Sequence, residues 1–279
     1  APEIAWIRHG DGKSETGTIH MPSFPAHLTR QSLEWTPPGA TQVLHTRLEI
    51  DDYVIDLAWS PDGAVLGVVS AAGSITLYDA VTGAVHHKLA GHENGANCLA
   101  WLSTKEAPAL LASGGQDGCV RFWDSATGRQ TAETKLGSAW VEHLVWRGER
   151  VLPPNLVTTS TPPEAQACLF AAAGKKLVAL RPDGSIAHTF PDAPKTISAL
   201  AIKPATQPEI SPALASAYFG GVTLWHPETF GALKELPYGN AILALTWSPD
   251  GRWLVAGCHD NAVHLWVPTA DIELQMSGY

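Results

Sequence analysis

Two columns of large apolar residues run through this chain with related spacing, and they constrain its fold more than any other feature. Trp59, Trp101, Trp146, Ile202 and Trp247 are separated by 42, 45, 56 and 45 residues. Tyr78, Trp123, Leu180, Trp225 and Trp266 follow at intervals of 45, 57, 45 and 41. Each column has one long step, and both long steps contain residues 147–166. The first column closes a recurring apolar run: 54–59 VIDLAW, 96–101 ANCLAW, 141–146 VEHLVW, 197–202 ISALAI and 242–247 ILALTW. A five-fold internal repeat of this length means one supersecondary unit built five times, each burying an apolar face on its neighbour.

Each unit reads as four short strands. The second predicts strands at Asn97–Leu102, Leu110–Ser113, Cys119–Trp123 and Gln130–Leu136, with turns at 114–118 and 124–128. The 25 Gly and 21 Pro supply the punctuation between strands, and no window keeps a helical period. Four strands per unit of about 40–45 residues predict an all-β fold, a β-propeller of four-stranded antiparallel blades. Five blades are visible, at about 51–92, 93–137, 138–193, 194–238 and 239–279, with an outer strand at 42–50 ahead of them. Residues 1–41 are expected to pack on the propeller edge, with a strand at Glu3–Arg8 and a Gly-Asp-Gly turn at 10–12.

These motifs resemble the WD-repeat propellers over about residues 51–279. Gly91-His92 opens the second unit and Trp123-Asp124 closes its third strand, as in the family's Gly-His … Trp-Asp signature. The resemblance implies a structural hydrogen-bonded tetrad of His92, Ser113, Asp117 and Trp123, rather than a catalytic one. The other units depart from the pattern. The first has Tyr78-Asp79 and Ala72, the third Leu180-Arg181, the fourth Trp225-His226, and the fifth keeps Asp260 and Trp266 but has Ala256 in the Ser column. That degeneracy suggests repeats of a bacterial type. Ser277-Gly278-Tyr279 aligns with Ala90-Gly91-His92, so the chain is expected to be a truncated seven-bladed ring lacking its last two blades.

The residues also narrow the function. Net charge is −9, and the only adjacent basic pair is Lys175-Lys176, so no stripe follows a nucleic-acid backbone. No apolar run reaches the ~20 residues of a membrane helix. Cys98, Cys119, Cys168 and Cys258 lie far apart in apolar settings, which points to free thiols, a reducing compartment and a cytoplasmic location. There is no nucleophile elbow, zinc-protease motif, P-loop or dinucleotide fingerprint. No cofactor or metal is implied by motif; of the 12 His, the adjacent His86 and His87 are expected on opposite faces of one strand.

The surface presented by the blades remains. The position six residues before the first-column anchor places Tyr53 and Trp140 at the rim of one face, where large aromatics act as hot spots. Asp51, Asp52, Glu93, Asn94, Glu142, Tyr238 and Asn240 would surround them with polar and acidic groups. Trp140 could instead fold back on its own blade. The expectation is a non-catalytic scaffold docking a protein or peptide of basic character. The alternatives are an enzyme or cofactor-binding propeller using the central channel, and an accessory protein in metal handling.

Overall fold

The computed structural model describes residues 8–10, 13–15, 50, 52–102, 109–148, 167–204, 212–270 and 272–277. Among them the chain forms strands only: one short hairpin and five four-stranded antiparallel sheets. The hairpin pairs β1 (Arg8–Gly10) with β2 (Lys13–Glu15). The rest of residues 1–41 lies outside the described residues, as do positions 42–49 of the outer strand expected at 42–50 and the long inserts at 149–166 and 205–211.

Every sheet is a meander with its strands in chain order. Blade 1 holds β3 (Val54–Trp59), β4 (Val65–Ser70), β5 (Ile75–Asp79) and β6 (Val85–Leu89). Blade 2 holds β7 (Ala96–Leu102), β8 (Leu110–Gly115), β9 (Cys119–Asp124) and β10 (Arg129–Lys135). Blade 3 holds β11 (Val141–Arg147), β12 (Cys168–Ala173), β13 (Lys176–Leu180) and β14 (Ile186–Thr189). Blade 4 holds β15 (Ile197–Ile202), β16 (Leu214–Tyr218), β17 (Gly221–Trp225) and β18 (Ala232–Pro237). Blade 5 holds β19 (Ile242–Trp247), β20 (Leu254–Cys258), β21 (Ala262–Val267) and β22 (Ile272–Ser277).

Local chemistry sets the turns. In Ser60-Pro-Asp-Gly63 the Ser60 hydroxyl donates to Asp62 (2.6 Å), Asp62 accepts from the Ala64 amide, and Gly63 takes φ 71°. Ser248-Pro-Asp-Gly251 repeats the same device in blade 5. An Asx-type turn with glycine in the left-handed region reverses the chain in four residues.

Strand alternation gives each sheet two apolar faces, and packing joins them in order. Call the face toward the next blade the front and the other the back. Blade 1's front (Ala58, Val69, Ile75, Leu77) meets blade 2's back (Leu99, Leu111, Trp123). The same arrangement joins blades 2 and 3, blades 3 and 4, and blades 4 and 5. Contacts between neighbouring sheets concentrate on the first strands, β3 with β7, β7 with β11, β11 with β15 and β15 with β19. Sheets that touch along their first strands fan outward, which is propeller geometry.

The anchor column explains itself here. The indole of Trp101 donates to the carbonyl of Ala58 and that of Trp146 to Ala100, both at 3.0 Å. These two anchors therefore each plug a carbonyl on the preceding blade's first strand. Ile202 has no N–H to offer. The Trp247 Nε1 is buried without a hydrogen-bond partner, while Lys203 Nζ sits 5.3 Å over its ring.

One expectation needs correcting. His86 and His87 do not diverge: their rings meet edge-on, 4.4 Å between centroids. The register of β5 and β6 shifts between Leu77 and Tyr78, so His86 occupies a bulge and strict alternation fails there. Outer-pair bulges recur in blades 2, 3 and 4, and the first-strand pair is bulged in all five blades.

The indole bonds predict a graded series. Trp101→Phe and Trp146→Phe should each cost about 1 kcal/mol more than Trp247→Phe, because only the first two orphan a paired group. Thermal melts of the three variants provide the measurement.

Candidate functional site

The polar centre of blade 2 is built from four elements. His92 precedes β7, Ser113 lies on β8, Asp117 sits in the β8–β9 turn and Trp123 is the penultimate residue of β9. The Trp123 indole donates to Ser113 Oγ (2.9 Å). His92 Nε2 is 2.8 Å from Ser113 Oγ and its Nδ1 is 3.0 Å from Asp117 Oδ1. His92 Nδ1 also lies 2.6 Å from Arg121 Nη1, so the imidazole is held between Ser113 on one nitrogen and the Asp117–Arg121 pair on the other. Arg121 Nη1 donates to the other Asp117 oxygen at 2.8 Å, and its Nε donates to Glu133 at 2.8 Å. Asp117 also accepts from the Cys119 amide.

This connectivity is that of a Ser–His–Asp triad, yet it cannot attack a substrate. Ser113 is 0% exposed, and a lone pair of its oxygen is occupied by the indole. A triad needs its hydroxyl open to a substrate carbonyl and an oxyanion pocket beside it. The arrangement ties four segments of one blade together.

Two further locks were hidden in the sequence. In blade 4, Trp225 donates to Ser216 Oγ (2.9 Å) although the unit lacks the Gly-His and turn Asp. In blade 5, Tyr238 stands nine residues before Trp247, as His92 stands nine before Trp101. Its hydroxyl donates to Asp260 at 2.8 Å, a Tyr–Asp pair in the place of the His–Asp pair. Tyr238 also packs on His264 (4.7 Å), which lies against Trp266 (4.3 Å) and has Nε2 2.7 Å from Glu273. Tyr238 is thus half-buried in a lock, not simply part of an open surface.

The other predicted rim residues that are described lie at the upper end, where first strands begin and the second-to-third turns sit. Tyr53 is 67% exposed and Trp140 is 51% exposed. Trp140 thus stays half open. Glu93, Asn94 and Glu142 are exposed, and Asn94 holds φ 66°. Asp52 is tied down, accepting from the Ala72 amide (2.6 Å), and Asn240 accepts from the Ala241 amide. Asp51 lies outside the described residues. The structure adds Phe219, 55% exposed in the β16–β17 turn of the same end. Its signal was the 218–221 YFGG turn, an aromatic where blade 2 has a polar turn. Lys175 and Lys195, both exposed, occupy the blade 3 and blade 4 side of this end beside Glu142, so charge there is mixed. Among the described residues no group of three or more His, Cys, Asp or Glu is placed to hold a metal ion.

Comparison with known proteins locates this architecture. Residues 35–104 match the anaphase-promoting complex subunit 4 WD40 domain and residues 233–267 match the WD domain, G-beta repeat. The repeats are similar to WD40 repeats. Protein ROOT INITIATION DEFECTIVE 3 of Arabidopsis thaliana is 26% identical over 84% of this chain and 52% of its own length. The WD repeat-containing protein slp1 of Schizosaccharomyces pombe is 24% identical over 86% of this chain and 46% of its own. The chain spans about half the length of these curated relatives, and neither is bacterial, so the bacterial type inferred from repeat degeneracy finds no support. A chain in the crystal structure of the mitotic checkpoint complex superposes with a TM-score of 0.63 at 20% identity, covering 80% of this chain and 64% of that one. That likeness is one of fold.

Two predictions follow from the lock's geometry. Ser113→Ala leaves the Trp123 indole and His92 Nε2 buried without partners and should cost about 1–3 kcal/mol. Ser216→Ala should cost less, since the half-buried Trp225 can turn to water; chemical denaturation of both variants compares them. The lock also sets a pH response. Burial holds His92 below its ordinary 6.5, outweighing the pull of Asp117. Asp117 is lowered to about 2: burial raises it, but donors from His92, Arg121 and Cys119 prevail. In both cases the unfolded chain binds more protons, so stability is lost as pH falls. Melting temperature should drop as pH falls below about 6.5, and drop again below about 4. His92→Gln should flatten the upper limb, leaving a remainder from His143, which burial also lowers, and should weaken the lower limb because Asp117 loses part of what holds it down.

Proposed function

We propose that this chain is a non-catalytic interaction scaffold whose upper end docks a protein or peptide of basic character. The observation that carries the reading is the exposure of three large aromatics at one end: Tyr53, Trp140 and Phe219. Aromatic side chains standing in water on a rigid frame contribute large contact area at small entropic cost. Glu93 and Glu142 flank them, which suits a partner carrying Lys or Arg, with the aromatic faces available to those cations. WD-repeat proteins are generally interaction scaffolds, which supports the class, while the residues named are specific to this chain. The four buried free cysteines suit a reducing compartment, and we assign the protein to the cytoplasm on that ground.

A peptide array graded from basic to acidic, probed with the purified chain, tests the reading. Basic peptides should be captured, and Tyr53→Ala with Trp140→Ala should weaken the best of them at least about tenfold, or about 1.4 kcal/mol. Phe219→Ala should weaken it further. Capture unchanged in the double variant, or selection of acidic peptides, overturns the proposal.

A further inference from the structure

Adjacent residues on a strand normally send their side chains to opposite faces, and His86 and His87 do not. The β5–β6 register shifts between Leu77 and Tyr78, and the two rings stand edge-on with centroids 4.4 Å apart. Both residues are exposed, near the start of β6 at the lower, outer edge where blade 1 meets blade 2. The Nε2 of His87 lies 3.1 Å from the carbonyl oxygen of Ala126 in the β9–β10 turn. A carbonyl can only accept, so Nε2 carries the proton and Nδ1 keeps a lone pair. This is how a ligating histidine is held, with one nitrogen fixed by a backbone carbonyl and the other presented to an ion.

Gly128 sets the position of that ring. A Cβ at Gly128 would meet His87 Cγ at 2.8 Å and Nδ1 at 2.9 Å. Near-equal distances put the turn against the face of the ring, which leaves the in-plane lone pair of Nδ1 uncovered. His86 makes no hydrogen bond among the described residues, so its ring turns about the Cβ–Cγ bond without breaking one. With zinc–nitrogen bonds of about 2.0–2.1 Å, two imidazoles on one ion have centroids about 5 Å apart. Side-chain rotation alone carries the observed 4.4 Å to that separation. Asp79 lies within electrostatic reach of His86, and Asp124 of His87, so two carboxylates favour a cation between them. Lys88, the next residue along, takes the face opposite His87.

We propose that His86 and His87 form a zinc-binding site with two imidazole ligands, water filling the other positions of Zn²⁺. The bulge creates it, since strict alternation would hold the two rings on opposite sides of β6. Imidazole nitrogen suits zinc, and a site with two protein ligands differs from a closed structural one, which uses four. The ion it takes is therefore exchangeable, and the fold does not depend on it. The site lies at the end opposite Tyr53, Trp140 and Phe219 and is independent of the docking proposed there.

Because the chain has 12 His, the test must resolve them one by one. The whole chain is treated with diethyl pyrocarbonate near neutral pH at rising Zn²⁺, and each modified histidine is mapped by mass spectrometry. His86 and His87 should become protected together, at a single zinc midpoint. In His87→Ala the Zn²⁺ needed to protect His86 should rise at least about tenfold, and His86→Ala should do the same to His87. This reciprocity is what one shared ion requires, and two histidines binding separately would not show it. Both side chains are exposed, so neither replacement removes a core contact. Two different midpoints, a midpoint for either histidine that ignores loss of the other, or no protection of the pair at millimolar Zn²⁺ would each overturn the proposal.

Discussion

The fold depends on one contact repeated: the front of a sheet closing on the back of the next, fastened where it can be by an indole reaching a neighbour's carbonyl. A four-stranded meander has two apolar faces and cannot bury either alone. Stacking buries both, and stability becomes a sum of units and interfaces. The indole bonds from Trp101 and Trp146 add direction to a contact that the hydrophobic effect leaves undirected. They hold the first strands in register, while the outer strands are free to splay.

Within each blade a second device resists shear between strands. Blade 2 has it in full, with His92, Asp117, Ser113 and Trp123 in one connected chain of hydrogen bonds. Blade 4 keeps only the Trp225–Ser216 half, and blade 5 rebuilds the other half as Tyr238–Asp260. Blade 3 fills the equivalent space with apolar side chains, Ala171 and Leu180 among them, in the shared core with blade 2. Polar and apolar solutions thus coexist in one stack. Replacing every partner of a buried network by apolar groups costs little, whereas removing one partner is expensive.

Much of this was legible from residue order. Trp columns announce the repeat because a large anchor is needed wherever two first strands meet, and Ser-Pro-Asp-Gly announces the turns. The blade 5 lock was less legible because Tyr and His look unrelated as letters, although each presents a donor to the same turn carboxylate. Ser216 was obscured by the alanines on either side of it in β16. Phe219 leaves no mark in the repeat because a turn aromatic belongs to no column. The close approach of His86 and His87 depends on a bulge, and a bulge leaves almost no trace in composition. The rim residues could be counted from the anchors, but their exposure is decided by neighbours that the count does not see.

The bulge common to all five first strands has a further consequence. It takes one residue per blade out of the pairing ladder: Ile55, Asn97, Glu142, Ser198 and Leu243. Those five side chains range from aliphatic to acidic, and the backbone beneath them is the same. Two of them use the freedom to reach across, Asn97 to the Val141 carbonyl and Ser198 to the Ile242 carbonyl. Such a site works as an interchangeable socket, where chemistry can be rewritten without disturbing the strand that carries it. A frame with one socket per blade can acquire a new recognition surface by substitution alone, with no change to its core.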